Sequence, residues 1–134
     1  YKQKFVTEMK KITLLTKIVF HIFNIGLILL YLYPGSILGW LIYSDSHKQP
    51  QITSNFLVFS SNHVYAFMIL SLLGVISYNN KTVILFIYLF FTSIVLELCH
   101  ILILERSFEY SDLFGNLFGV ILIFILLKIY NTFK

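Results

Sequence analysis

Apolar runs long enough to cross a bilayer, separated by short polar turns, restrict this chain more than any other feature. A hydrocarbon core of about 30 Å takes roughly 20 helical residues. Ile12 to Tyr33, Thr82 to Leu104 and Leu113 to Tyr130 supply such runs, and Asn62 to Tyr78 supplies a shorter one that is expected to extend backward through Phe56 to Ser61. Apolar residues make up 58% of the chain and charged residues 12%, against soluble averages of roughly 45–50% and about 25%. The expected fold class is an all-α membrane protein, a four-transmembrane-helix bundle with a short interfacial segment after the first helix. Spans are placed at about 12–33, 60–78, 82–104 and 112–130. Residues 1–11 form a cytoplasmic tail and 12–134 a single membrane domain.

Punctuation between the runs supports this division. Met9 followed by Lys10 and Lys11 reads as a natural start, so residues 1–8 are expected to be an extension. No small-residue cleavage site follows, and the first run is expected to stay as an anchor. Pro34 and Gly35 end it. Gly35 to Tyr43 carries Trp40 and Tyr43, aromatics suited to the membrane interface. Ser44 to Ser54 is a polar loop, and its His47 is expected to be solvated. Asn79 to Lys81 is a tight turn that makes its flanking spans antiparallel neighbours. Ser111 or Asp112 is the expected N-cap of the last helix. Gly74, and the Ser111, Gly115, Gly119 stripe, are expected to admit close helix packing.

Charge sets the expected orientation. The net charge of +4 comes from basic residues that interleave with apolar runs and form no stripe, which argues for topology and against nucleic acid. Lys2, Lys4, Lys10, Lys11, Lys17, Lys81, Lys128 and Lys134 fall on one side, and Lys48 and Arg106 on the other. The positive-inside rule then puts both termini in the cytoplasm. The single cysteine, Cys99, reads as a helix-packing thiol.

Polar groups inside apolar runs are costly and need partners or water. His21 and Asn24, three apart in the first span, read as interhelical hydrogen bonds. The denser group lies at the opposite depth. His63 opens the second span, Glu97 and His100 share a face at the end of the third, Arg106 sits in the following turn, and Asp112 and Asn116 share a face at the start of the fourth. Antiparallel topology brings these six to one level, where they are expected to form an outward-facing polar pocket.

Those residues also carry a resemblance. His63 with Phe67, Glu97 with His100, then Arg106, Asp112, Asn116 and Gly119 follow the order and spacing of the VanZ-like family of small membrane proteins, over roughly residues 56–125. The chain departs from it where members often carry an Asp-Lys pair, here Phe59 and Ser60, and where glutamine is common, here His100. The resemblance implies a bacterial cell-envelope protein of the inner membrane, of the type associated with glycopeptide (teicoplanin) resistance. It implies no reaction.

Several uses of the pocket stay open at this level. A structural lock would pair Arg106 with Asp112 or Glu109 and hold Glu97 through His63 or His100. Recognition of a lipid or lipid-linked precursor headgroup would use Arg106, with Trp40 at headgroup level. Acid/base catalysis would use Glu97 and its histidines. No nucleophile is placed for it, since Ser60, Ser61 and Ser111 read as helix caps, so no catalytic residue is assigned and a non-enzymatic role is favoured. The Glu-x-x-His spacing of Glu97 and His100 occurs once, where a di-iron bundle needs two such motifs, so neither metal nor cofactor is expected. Transport is disfavoured because the inner halves of most spans lack polar groups. The chain is also compatible with an accessory subunit of a larger membrane complex.

Overall fold

A computed structural model describes residues 2–134. Its elements are all helical: α1 (Lys2–Leu32), α2 (Ile37–Tyr43), α3 (Ser61–Ser77), α4 (Thr82–Cys99) and α5 (Tyr110–Thr132), with single 3-10 turns at Asn79–Lys81 and His100–Leu102. Three segments, Gln3–Leu32, Asn79–Leu102 and Tyr110–Thr132, are long and apolar enough to cross a membrane, and Ser61–Ser77 is apolar but shorter. Large apolar side chains face outward along them, such as Ile22, Leu29, Ile84 and Ile125. In water such a surface would be an aggregation liability; in lipid it is the expected exterior. The chain is a helical membrane protein.

The four long helices pack as an antiparallel bundle. A core of Phe20, Leu27, Tyr31, Phe67, Leu70, Leu85, Leu89, Leu96 and Val120 joins them. Helices α3 and α5 make the most extensive interface, and small residues explain it. A Cβ on Gly119 would lie 2.6 Å from the Val64 carbonyl oxygen, and one on Gly115 would lie 2.8 Å from that of Ser60. Backbone therefore lies against backbone there, which only glycine permits. Gly74 plays a milder part: its added Cβ would meet Leu85 and Phe20 at 3.0 Å.

The observed boundaries correct the expected ones in four places. Helix α1 is continuous from Lys2, so the basic tail extends the first helix. Helix α3 does not reach back to Phe56; the chain reverses there, with Phe56 and Phe59 exchanging both backbone hydrogen bonds (2.9 and 2.8 Å) and Leu57 at φ 55°. Helix α4 stops at Cys99 and tightens into a 3-10 turn before Ile103 goes extended. Helix α5 starts at Tyr110 with Glu109 as N-cap. Glu109 is extended, its carbonyl accepts from the amides of Asp112 and Leu113, and its own amide is held by Glu97 across the bundle. A tertiary bond thus sets the helix start in place of a local Ser or Asp cap.

Between α1 and α3 the connection is ordered by its own polar groups. Gly35 turns at φ 82°, and the Ser36 hydroxyl accepts from the Gly39 amide at 2.9 Å to cap α2, whose Trp40 and Leu41 are exposed. Farther on, the Asn62 side chain accepts from the Ile52 amide and donates to the Pro50 carbonyl, while the Ser61 hydroxyl donates to the Thr53 carbonyl. The loop is thereby folded back over the end of the bundle where α3 begins.

Candidate functional site

The antiparallel order brings the C-terminal ends of α1 and α4 to the N-terminal ends of α3 and α5. All six residues singled out from sequence lie at this end. Two acid–histidine pairs form its centre. His63 Nε2 lies 3.3 Å from Asp112 Oδ2, joining α3 to α5, and His100 Nδ1 lies 3.2 Å from Glu97 Oε1 within α4 and its terminal turn. The second pair is fully buried; the first is partly open. A carboxylate oxygen of Glu97 also comes within 4.8 Å of the ligand atoms of His63 and Asp112, so the pairs form one cluster.

A hydrogen-bonded chain behind the cluster fixes its rings. Asn116 donates from Nδ2 to the Ser93 carbonyl at 3.3 Å, which points its Oδ1 toward Tyr31 and His63. That oxygen accepts from the Tyr31 hydroxyl at 2.5 Å and lies 3.0 Å from His63 Nδ1. The Tyr31 hydroxyl also lies 2.8 Å from His63 Nδ1, so phenol, amide and imidazole meet at one point. On the other side, His100 Nε2 donates to the Tyr31 carbonyl at 3.1 Å, and its ring stacks on the Tyr31 ring with centroids 5.5 Å apart. Tyr31 therefore contacts both histidines and the asparagine.

Arg106 does not make the pairing with Asp112 or Glu109 that a structural lock would use. Among the described residues no carboxylate lies within salt-bridge distance of it. Its Nη2 donates to the Leu30 carbonyl at 3.0 Å and its Nε to that of Tyr33 at 3.3 Å. These are end carbonyls of α1, which lack intrahelical donors and sit at the negative end of the helix dipole. Burial lowers the basicity of its guanidinium, an effect opposed by the nearby acids, and an arginine stays charged over the working pH range. Two bonds use two of its five N–H groups.

Next to these residues is a cavity of about 710 Å³. Its polar wall includes His63, His100, Arg106 and Asp112, its apolar wall includes Leu27 and Leu30, and the folded-back loop from Gln49 to Asn55 closes one side. Glu97 and Asn116 are wholly buried behind it. No family model, curated protein or solved structure matches the chain.

The remaining sequence expectations fall elsewhere. His21 and Asn24 make the expected interhelical bonds, to Tyr78 (2.7 Å) and Tyr88 (2.5 Å). His47 is exposed and 3.9 Å from Glu105. Ser60 precedes α3 without a side-chain cap bond, and Cys99 is a partly buried free thiol. Tyr31 is the residue that sequence reasoning missed. A signal for it existed: Phe20, Asn24, Leu27 and Tyr31 recur at helical spacing and are all buried, so Tyr31 belongs to the inward stripe of α1.

Proposed function

We propose that the protein is a four-span protein of the bacterial cytoplasmic membrane, VanZ-like, with both termini inside. Its polar pocket faces outward and binds the headgroup of a lipid or lipid-linked envelope precursor. Arg106 carries this reading. It stands at the wall of a cavity large enough for a headgroup, is anchored by two α1 carbonyls, and keeps further N–H groups for a phosphate. Ligand sites are typically concave, mostly apolar and furnished with a few convergent polar groups, and this cavity has that make-up. The fourth span is α3, whose 17 residues suit a locally thinned bilayer or the bundle interior.

A second reading draws on the acid–histidine pairs His63–Asp112 and Glu97–His100: the cluster locks the helices of an accessory subunit of a larger membrane complex. One preparation separates the two. The tagged protein is purified from its native membrane in mild detergent, and the lipids and proteins that travel with it are identified by mass spectrometry. A phosphate-bearing lipid enriched over bulk membrane with the wild type, and lost with Arg106→Ala, supports headgroup binding. Equal lipid with both proteins, or a stoichiometric protein partner and no enriched lipid, contradicts it.

A further inference from the structure

The cluster has a feature that headgroup binding does not use. Glu97 is fully buried, and its Oε1 is occupied by His100 Nδ1 at 3.2 Å and the Glu109 amide at 3.0 Å. Its Oε2 is buried with no hydrogen-bond partner. Among the described residues three neutral side-chain atoms share that state, on Asn24, Ser71 and Ser77, whereas Glu97 is an acid. An unsatisfied buried carboxylate oxygen is more costly than an unsatisfied hydroxyl or amide.

We propose that His63, Asp112 and Glu97 are the ligands of a single divalent transition cation of the zinc type, held at the floor of the cavity. The donor atoms of the three residues lie within 4.8 Å of one another. His63 Nε2 and Asp112 Oδ2 are 3.3 Å apart, and two donors at about 2.0–2.1 Å from one tetrahedral ion would lie about 3.3–3.4 Å apart. A Glu97 carboxylate oxygen lies within 4.8 Å of both of these donors. With a metal on Nε2, Nδ1–H would donate to the Asn116 oxygen 3.0 Å away, the usual outer-sphere arrangement of a ligating histidine. His100 and the Glu109 amide play the corresponding part for Glu97.

Donor chemistry selects the cation. One imidazole and two carboxylates suit zinc or manganese, whereas calcium and magnesium prefer all-oxygen shells. Two carboxylates neutralise a divalent ion. His63 and Asp112 line the cavity while Glu97 lies behind them, so a fourth coordination position would open toward the cavity. The Glu-x-x-His spacing misleads in one respect: His100 orients Glu97 and is not a ligand.

This inference stands apart from the headgroup reading, and its test does not involve lipid. Protein in detergent is treated with chelator, dialysed and titrated with zinc chloride, and bound zinc is then measured by elemental analysis after gel filtration. The wild type should retain one equivalent and melt at a higher temperature with zinc than without. Asp112→Asn and His63→Ala should each bind at least about tenfold more weakly, and Asn116→Ala about 10–100-fold more weakly through loss of the outer-sphere bond. His21→Ala, remote from the cluster, should bind like wild type. Asp112→Asn is nearly isosteric at a half-buried site, so its metal-free fold, checked by gel filtration, keeps the test valid even where Glu97→Gln fails to fold. No stoichiometric zinc in the wild type, or undiminished binding in both Asp112→Asn and His63→Ala, overturns the proposal.

Discussion

Both ends of the bundle carry histidine, tyrosine and asparagine inside apolar helices, yet they are built differently. At the end near the termini, His21 meets Tyr78, Asn24 meets Tyr88, and Lys17 lies 5.2 Å from the Tyr78 ring centroid. These are one-to-one contacts, and no acid takes part in them. The opposite end gathers two acids, two histidines, an arginine and a tyrosine from all four long helices, beside a cavity. Isolated polar pairs in a membrane bundle serve as helix glue. A converging, charged and partly open group costs far more to assemble and is the better candidate for a site. Residue type alone does not distinguish the two ends; convergence, charge and access do.

Substitutions that act on this contrast rank by expected size. Glu97→Leu leaves His100, the Glu109 amide and the start of α5 without their partner, and should destabilise the detergent-solubilised protein by about 3–5 kcal/mol, as removal of one member of a buried pair does; thermal unfolding in detergent measures it. Gly119→Ala places a Cβ against the Val64 carbonyl and should cost about 1–3 kcal/mol as α3 and α5 separate. The same melt checks it, and a neutral result would mean that the α3–α5 backbone contact is looser than described. Arg106→Ala removes two partly solvated, charge-assisted bonds to α1 and should cost about 1 kcal/mol, with a larger effect on bound lipid than on melting temperature. His21→Ala should cost least, about 0.6 kcal/mol. Should His21→Ala prove as damaging as Glu97→Leu, the contrast between the two ends would collapse.

Much of this was legible in the chain, for definable reasons. The length and apolarity of the runs follow from bilayer thickness, and antiparallel order follows from short turns, so the gathering of His63, Glu97, His100, Asp112 and Asn116 at one end could be read without coordinates. Their pairing could not. Glu97 and His100 lie three apart on one helix and were bound to meet, but His63 with Asp112 depends on how α3 rotates against α5, which Gly115 and Gly119 set through backbone contact. Charge complementarity points Arg106 to an acid, as in a structural lock, whereas its observed bonds go to the Leu30 and Tyr33 carbonyls at the end of α1, which a sequence does not single out as acceptors. The cap of α5 was misplaced because Glu109 is held by a bond from α4, and local capping preferences carry no information about it. Ser44 to Ser54 reads as a polar loop, and that Asn62 folds its end back over the cavity depends on bonds to Ile52 and Pro50, ten and twelve residues away.

In the proposed topology the polar end is a water-open pocket on the outer side, and the opposite end a dry contact. Single-cysteine labelling tests it directly. In a Cys99→Ser background, Ser111→Cys places a thiol at the cavity wall, and Ser77→Cys places one at a buried position near the other end. A membrane-impermeant maleimide added to intact cells should label Ser111→Cys and leave Ser77→Cys unreacted. Failure of Ser111→Cys to react, or its reaction only in inverted vesicles, would contradict the claim.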